Sequence, residues 1–351
     1  MTLLSNLTLN GSNEDLYLLS GTLNLNGYTV DVFYSYSYHT YIYGPVGTST
    51  TFTVAGTGTL KGRHFYQTDG QATSTFTISG ASTFLTYSIF NLSTGTFTSN
   101  TATVTIEGDF NLNGGTFNAT SGTMSCSAEW NRASTATFNH NSGTVTWIGS
   151  SSTVNISGSS AGTETFYNLT INKTGANSQT ISAGDILKTI GTLTLSDGSA
   201  SFNSSAGYFD IEGPLSINNS YWDGGNLPLK FMGTGDQTLS IPSNFTADVT
   251  INKTGGTISL SANLTLSNAN QDLIISAGTL NLNGYNLTVN GSGYTFVVES
   301  GGTLQLIGTE TLTTPTLNSG SIVCYNGTGA SYTLKSYSYS NLTIAAGAST
   351  V

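Results

Sequence analysis

The residues of this chain that could do chemistry fall in a few places. The densest is YFDIEGPLSINNSYWDGGNLPLKFMGTGD, Tyr208 to Asp236, which holds Asp210, Glu212, Asp223 and Asp236 beside Trp222 and Lys230. Paired carboxylates next to an aromatic ring are the apparatus of glycoside hydrolysis, one acting as acid and the other as base or nucleophile. Alternation, however, puts Asp210 and Glu212 on the same, solvent-facing side of one strand, and Pro214, Pro228 and the pair Gly224 and Gly225 read as loop. Asp223 is not a calcium site, because no multi-carboxylate loop of the EF-hand or glycine-rich Asp-repeat type accompanies it. No catalytic residue, metal or cofactor is therefore expected.

A second gathering is KGRHFYQTDG, with Lys61, Arg63, His64 and Asp69. An anion or catalytic site would need more acids from elsewhere, so the segment reads as a solvated loop with a local ion pair. The third is an aromatic run, FYSYSYHTYIYG, in which Tyr34, Tyr36 and Tyr38 share one side of a strand and Tyr41 and Tyr43 change parity. An exposed row of tyrosines is a candidate surface for sugar rings or a protein partner. The plainer reading is an end cap or lateral packing surface. A shorter echo, SYTLKSYSYSN from Ser331 to Asn341, makes contact surfaces between successive subunits a further alternative. Cys126 and Cys324 lie far apart in a repeating chain, which favours buried thiols over a disulfide. Triplets such as Thr51-Phe52-Thr53 could stack into a flat threonine array of the kind that orders water or ice, but they lapse after a few units.

These residues are set in a repeat that must position them. TSTTFTVAG (Thr48 to Gly56) returns as ATSTFTISG (Ala72 to Gly80), and Phe52, Phe76, Phe97, Phe117 and Phe138 recur every 20 to 24 residues. GTFNATSGTMSC aligns with ATFNHNSGTVTW, placing Cys126 on Trp147, while NLTINKTG at Asn168 comes back as DVTINKTG at Asp248. Apolar residues alternate with Thr, Ser and Asn in short runs, the mark of strands with one buried face. Gly and Asn-Gly, which accept positive φ, break the runs. Asn26-Gly27 and Asn283-Gly284 would suit two-residue hairpins and antiparallel meanders. Like residues recurring at coil spacing favour the rival: an all-β, single-stranded parallel β-solenoid with about 20–24 residues per coil. Residues 1–47 are expected to form N-terminal coils carrying the tyrosine patch. Residues 48–351 form the continuous array, with both ends cut mid-array as though part of something longer.

Charged residues are only 7% of the 351, and the net charge is −10, so the surface cannot neutralise a phosphate backbone and nucleic acid is not an expected partner. No apolar run reaches the length of a membrane span. Apolar residues at 37%, in strict alternation, argue against disorder. Asn168, Asn172, Asn252 and Asn263 head Asn-X-Ser/Thr sequons that would permit glycosylation in a suitable host.

The phrases SGTVTW, FYNLTINKTG, LTLSNANQDLIISAGTLNLNGYNLTV and GTGDQTLS resemble the β-strand-repeat proteins of bacterial surfaces, arrays similar in style to filamentous haemagglutinin-like adhesins. The resemblance covers most of residues 100–351 and carries no catalytic motif. It implies a parallel β-helix outside the cell that adheres or builds fibres. The expectation is a non-enzymatic extracellular stalk, adhesin or filament subunit that self-associates end to end or laterally, with a glycan or other cell-surface ligand as partner. A virus tail fibre or spike and a polysaccharide-binding or polysaccharide-degrading β-helix are the alternatives.

Overall fold

An apolar residue at every second position gives a strand one dry face, and strands are what this sequence builds. The computed structural model of the protein describes residues 1–11, 14–33, 41–45, 50–67, 74–149, 153–156, 161–173, 179–196, 202–203, 206–217, 227–328 and 334–345. Every regular element among them is a strand, and each described pairing between strands is parallel. No helix among them is long and apolar enough to cross a membrane. The chain is a parallel β-solenoid, packed as two units, Met1–Leu187 and Lys188–Val351.

In the first unit each coil contributes to three strand columns. The first column stacks Gly21–Asn24, Thr51–Ala55, Thr75–Ile78, Thr96–Thr98, Thr116–Asn118 and Thr137–Asn139. The second runs from Leu7–Leu9 and Thr29–Val32 through Thr103–Ile106 and Thr123–Cys126 to Asn168–Ile171. The third runs from Leu16–Tyr17 and Tyr41–Tyr43 through Phe110–Leu112 and Trp130–Arg132 to Thr153–Ile156. Gly58–Gln67 and Ser82–Leu92 are long enough to serve both the second and third columns, with a register shift between Gly62 and His64 where the chain bends. The coil from Phe52 to Phe76 takes 24 residues and that from Phe97 to Phe117 takes 20. Between Leu23 and Val54 the step lengthens to 31 residues. The pairing of Tyr41–Tyr43 with Gly58–Gln67 carries the ladder across the expected boundary at 47/48.

The corners decide why this is a solenoid. Asn26 and Gly27 have φ of 52° and 84°, and Asn283 and Gly284 have 50° and 85°. Two successive positive φ values are the type I′ turn, closed here by Tyr28 N donating to Leu25 O and Tyr285 N to Leu282 O, both at 2.8 Å. The chain leaving each turn does not fold back on the strand before it. Thr29–Val32 pairs with Leu7–Leu9 and Gly58–Gln67, and Leu287–Val289 pairs with Leu264–Leu266.

A second corner device uses Asn and Asp at strand entries. Asn6 Oδ1 accepts Thr29 N (2.9 Å), Asn263 Oδ1 accepts Asn286 N (2.9 Å), and Asn286 Oδ1 accepts Thr311 N (2.8 Å). Asp248 and Asp272 do the same for Asp272 N and Thr295 N. Each bond gives a backbone donor at the corner of one coil an acceptor from its neighbour, where no ladder bond is available. In three of its occurrences, at Asn6, Asn263 and Asn286, the phrase NLT thus begins with the residue that fastens its coil to the next.

Close stacking also explains Gly108. A Cβ there would lie 1.4 Å from Ser88 O and 2.2 Å from Ser88 C, backbone atoms of the adjoining coil. Gly108→Ala must therefore push two coils apart, and a loss of about 3 kcal/mol, the upper range for overpacking, is expected in urea unfolding. A wild-type midpoint for that variant would show that the corners do not touch as described.

Candidate functional site

The five phenylalanines of the repeat lie in register. Thr51-Phe52-Thr53 pairs with Thr75-Phe76-Thr77, and Phe76, Phe97, Phe117 and Phe138 follow one above another. Phe97 and Phe117 stack at 5.0 Å with planes 3° apart, while Phe90 and Phe110 meet Phe117 edge-on at 5.3 and 5.1 Å. Phe76, Phe97 and Phe117 are fully buried, whereas Phe138 is half-buried. They are core.

Of the tyrosine run, Tyr34, Tyr36 and Tyr38 lie outside the described residues. Tyr41 and Tyr43 sit on the outer side of the third column. Tyr17 stacks on Tyr43 at 4.7 Å with planes 9° apart, and Tyr66 follows at 6.4 Å from Tyr43. His64, aligned with Tyr41, is only 4% exposed, its ring 5.2 Å from that of Tyr41 and 5.9 Å from Tyr66. Burial first, then the Asp15 carboxylate and the neighbouring phenols, pushes Tyr43 up to about 12, and burial also raises Tyr66. Both are hydroxyl donors at neutral pH. The stacked Tyr17 and Tyr43 turn their faces toward each other, so the surface offers edges and hydroxyls more than ring faces.

The same outward register continues with another residue type. Tyr17, Tyr43 and Tyr66 align with Asn91, and Asn91 aligns with Asn111, Asn131 and Asn155. Asn131 Nδ2 donates to Asn111 Oδ1 and to Glu129 Oε2, both at 3.0 Å, and Asn113 Nδ2 donates to Asn91 Oδ1 at 3.2 Å. Beside this column a groove of about 320 Å3 is lined by Asn111, Asn113, Asn131, Arg132, Ala133 and Asn155.

Within KGRHFYQTDG, Lys61 to Gln67 are strand rather than loop. Lys61 to Gln67 belong to Gly58–Gln67, and Lys61 pairs across the ladder with Asp31 at 2.7 Å. Asp69 lies outside the described residues. In the second unit, Asp210 is outward by register but only 7% exposed, because Lys188 Nζ lies 3.7 Å from it and 2.6 Å from Glu212. Burial raises Asp210 against the pull of Lys188. Asp236 Oδ1 accepts Thr257 N at 2.8 Å and borders a groove of about 460 Å3 with Gln237, Thr238, Ser259, Asn281 and Gln305. Trp222 and Asp223 lie outside the described residues. Among the described residues no group of three or more His, Cys, Asp or Glu could hold a metal ion.

Both cysteines are free thiols. Burial pushes Cys126 up to about 12, so in the folded protein it should react with a thiol reagent at a small fraction of the rate of the half-buried Cys324. Equal rates, with denatured protein as the reference, would contradict its burial. Of the sequon residues, Asn172 and Asn263 are exposed, Asn168 and Asn252 are half-buried, and Asn168 Nδ2 donates to Thr144 Oγ1 at 3.4 Å.

Sequence reasoning missed the charges turned inward. Arg132 occupies an inward position, aligned with Leu112 and Ile156, and Glu164 precedes Phe166 on an inward face. Glu164 Oε2 accepts from Arg132 Nε at 2.9 Å and Trp130 Nε1 at 3.1 Å. Burial lifts its carboxyl to about 7, against the opposing effects of Arg132 and Trp130. The signal was present: aligned against FNLN at Phe110, WNRA at Trp130 puts Arg where Leu belongs. The repeated NKTG phrase hides another device. Lys173 and Lys253 are 1% and 2% exposed and donate to main-chain carbonyls, Ser127 O at 3.1 Å and Met232 O at 3.0 Å.

No protein-family model, curated protein or solved structure matches this chain. The reading of its function rests on the geometry.

Proposed function

We propose that the protein is a non-enzymatic structural and adhesive solenoid, a segment of a cell-surface stalk, adhesin or filament in the manner of the bacterial β-strand-repeat arrays. The observation that carries this reading is the outward register of the first unit. Tyr and then Asn are kept at one position along the third column, while Thr51, Thr75, Thr96, Thr116 and Thr137 are kept at another. A core needs only its inward letters, so repetition outside is what an extended contact surface requires. A solvent face of hydroxyls and amides stays hydrated with almost no charge, which suits a protein that meets surfaces and copies of itself. The partners under this reading are further copies of the chain and a glycan or other cell-surface ligand.

Antibodies against the chain test the location. Labelling of intact source cells or particles is expected, and labelling only after permeabilisation would overturn the reading.

A further inference from the structure

The asparagine column and its groove ask what would lie on them. The ladder bonds use only part of each amide: within the described residues, Asn91 Nδ2, Asn111 Nδ2 and Asn131 Oδ1 take no hydrogen bond. These unspent groups include both donors and an acceptor, and they recur at the rung spacing of about 4.8 Å. At one end of the column they give way to the phenol hydroxyls of Tyr43 and Tyr66, and to Tyr17, 59% exposed.

We propose that the third face of the first unit binds an uncharged polysaccharide lying along the stack of coils. This rests on the adhesive reading above and names its ligand. A polymer that offers hydroxyl donors and acceptors at every residue, with an advance per sugar close to one rung, matches a column that offers an amide or phenol at every rung. Charge selects among polymers. Arg132, which lines the groove, is spent on Glu164, Thr163 O and Ala136 O, so it adds no free cation. Carboxylates flank the column: Asp15 beside Tyr43 and Tyr41, and Asp109 and Glu129 beside the asparagines, where Asp109 Oδ1 accepts Glu129 N and Glu129 Oε2 accepts Asn131 Nδ2. An acidic glycan or a nucleic acid would meet carboxylates with no counter-charge. A folded protein partner would want an apolar centre, and from Asn91 to Asn155 the column offers amides instead.

Native affinity gels test this with the full chain and five probes: dextran, mannan, galactomannan, xyloglucan and hydroxyethyl cellulose, with heparin as the charged comparator. Retardation by at least one neutral polymer is expected, weakened at least tenfold in the double variant Asn111→Ala/Asn131→Ala and in Tyr17→Ser. Thr77→Ala/Thr98→Ala, on the first column, should bind as wild type. Should the asparagine variant fail to fold by circular dichroism, the exposed Tyr17→Ser carries the test. The inference is overturned if no neutral polymer retards the wild type, if heparin retards it more strongly, or if folded third-face variants bind unchanged. Surface labelling without polysaccharide retention would remove the inference and leave the adhesive reading standing, whereas labelling confined to permeabilised cells would remove that reading.

Discussion

Replacing Phe117 by alanine is expected to cost the first unit about 3 to 5 kcal/mol, the range for truncating a fully buried phenylalanine. The ring is 0% exposed and touches four others: Phe97 and Phe138 stacked along the column, Phe90 and Phe110 edge-on. Stacked and edge-on pairs add about 0.5 to 1.5 kcal/mol each beyond buried area, so the upper part of the range is the better expectation. Coils above and below are fixed by their own ladders and cannot collapse into the hole, which leaves the cavity open. Phe138→Ala should cost less, because that ring is only half-buried. Urea unfolding of the full chain, followed by near-ultraviolet circular dichroism, gives the ordering. A wild-type midpoint for Phe117→Ala would refute the aromatic column.

Arg132→Met should be comparably damaging at alkaline pH, about 3 to 5 kcal/mol, because removing one partner of a buried ion pair strands the other wherever Glu164 would be ionised. Met fills much of the same volume, so the loss measures charge rather than packing. Glu164 is 3% exposed and keeps no charged partner once the guanidinium is gone, only the neutral donors Trp130 Nε1 and the Thr165 main chain. The pH dependence follows from burial. Glu164 titrates at about 7 in the folded protein against an ordinary 4.5. A carboxyl raised on folding contributes stability that is complete below its unfolded value and is lost as pH rises through the folded one. Wild-type stability should therefore carry a component that declines as pH climbs from about 4.5 through about 7. Without Arg132 the folded value moves higher still, so the deficit of Arg132→Met should be smallest near the acid end of that window and grow above it. An equal deficit near pH 4.5 and well above pH 7 would sink the account of Glu164 as a buried, partly neutralised acid.

The repeat, its strand character and its parallel stacking were legible because each rests on letters recurring at a fixed interval. Phe97, Phe117 and Phe138 could be aligned by eye, and a column of equal residues has one economical arrangement: parallel strands in register. The corners were harder to read. Asn283-Gly284 specifies a tight turn with two positive φ values, and that local preference is satisfied equally by a hairpin and by a solenoid corner. What separates them is the partner of the outgoing strand, here Leu264–Leu266 rather than the strand just left. KGRHFYQTDG looked like loop because its charges were counted as a group. Only the neighbouring rungs, with Asp31 across from Lys61 and Tyr41 across from His64, show that a strand can carry them.

By itself the sequence determined the period, the alternation and hence an all-β core that one coil cannot close alone. Those are properties of spacing along the chain, and burial of alternate residues enforces them whatever the details of the coil. Tertiary structure alone decided which residues from different coils meet: that Lys173 and Lys253 turn inward to carbonyls, that Arg132 finds Glu164 32 residues away, and that tyrosines and asparagines share one outward column. Such contacts depend on the exact length of each coil, and a difference of one residue in a strand would send the same side chain to the other face.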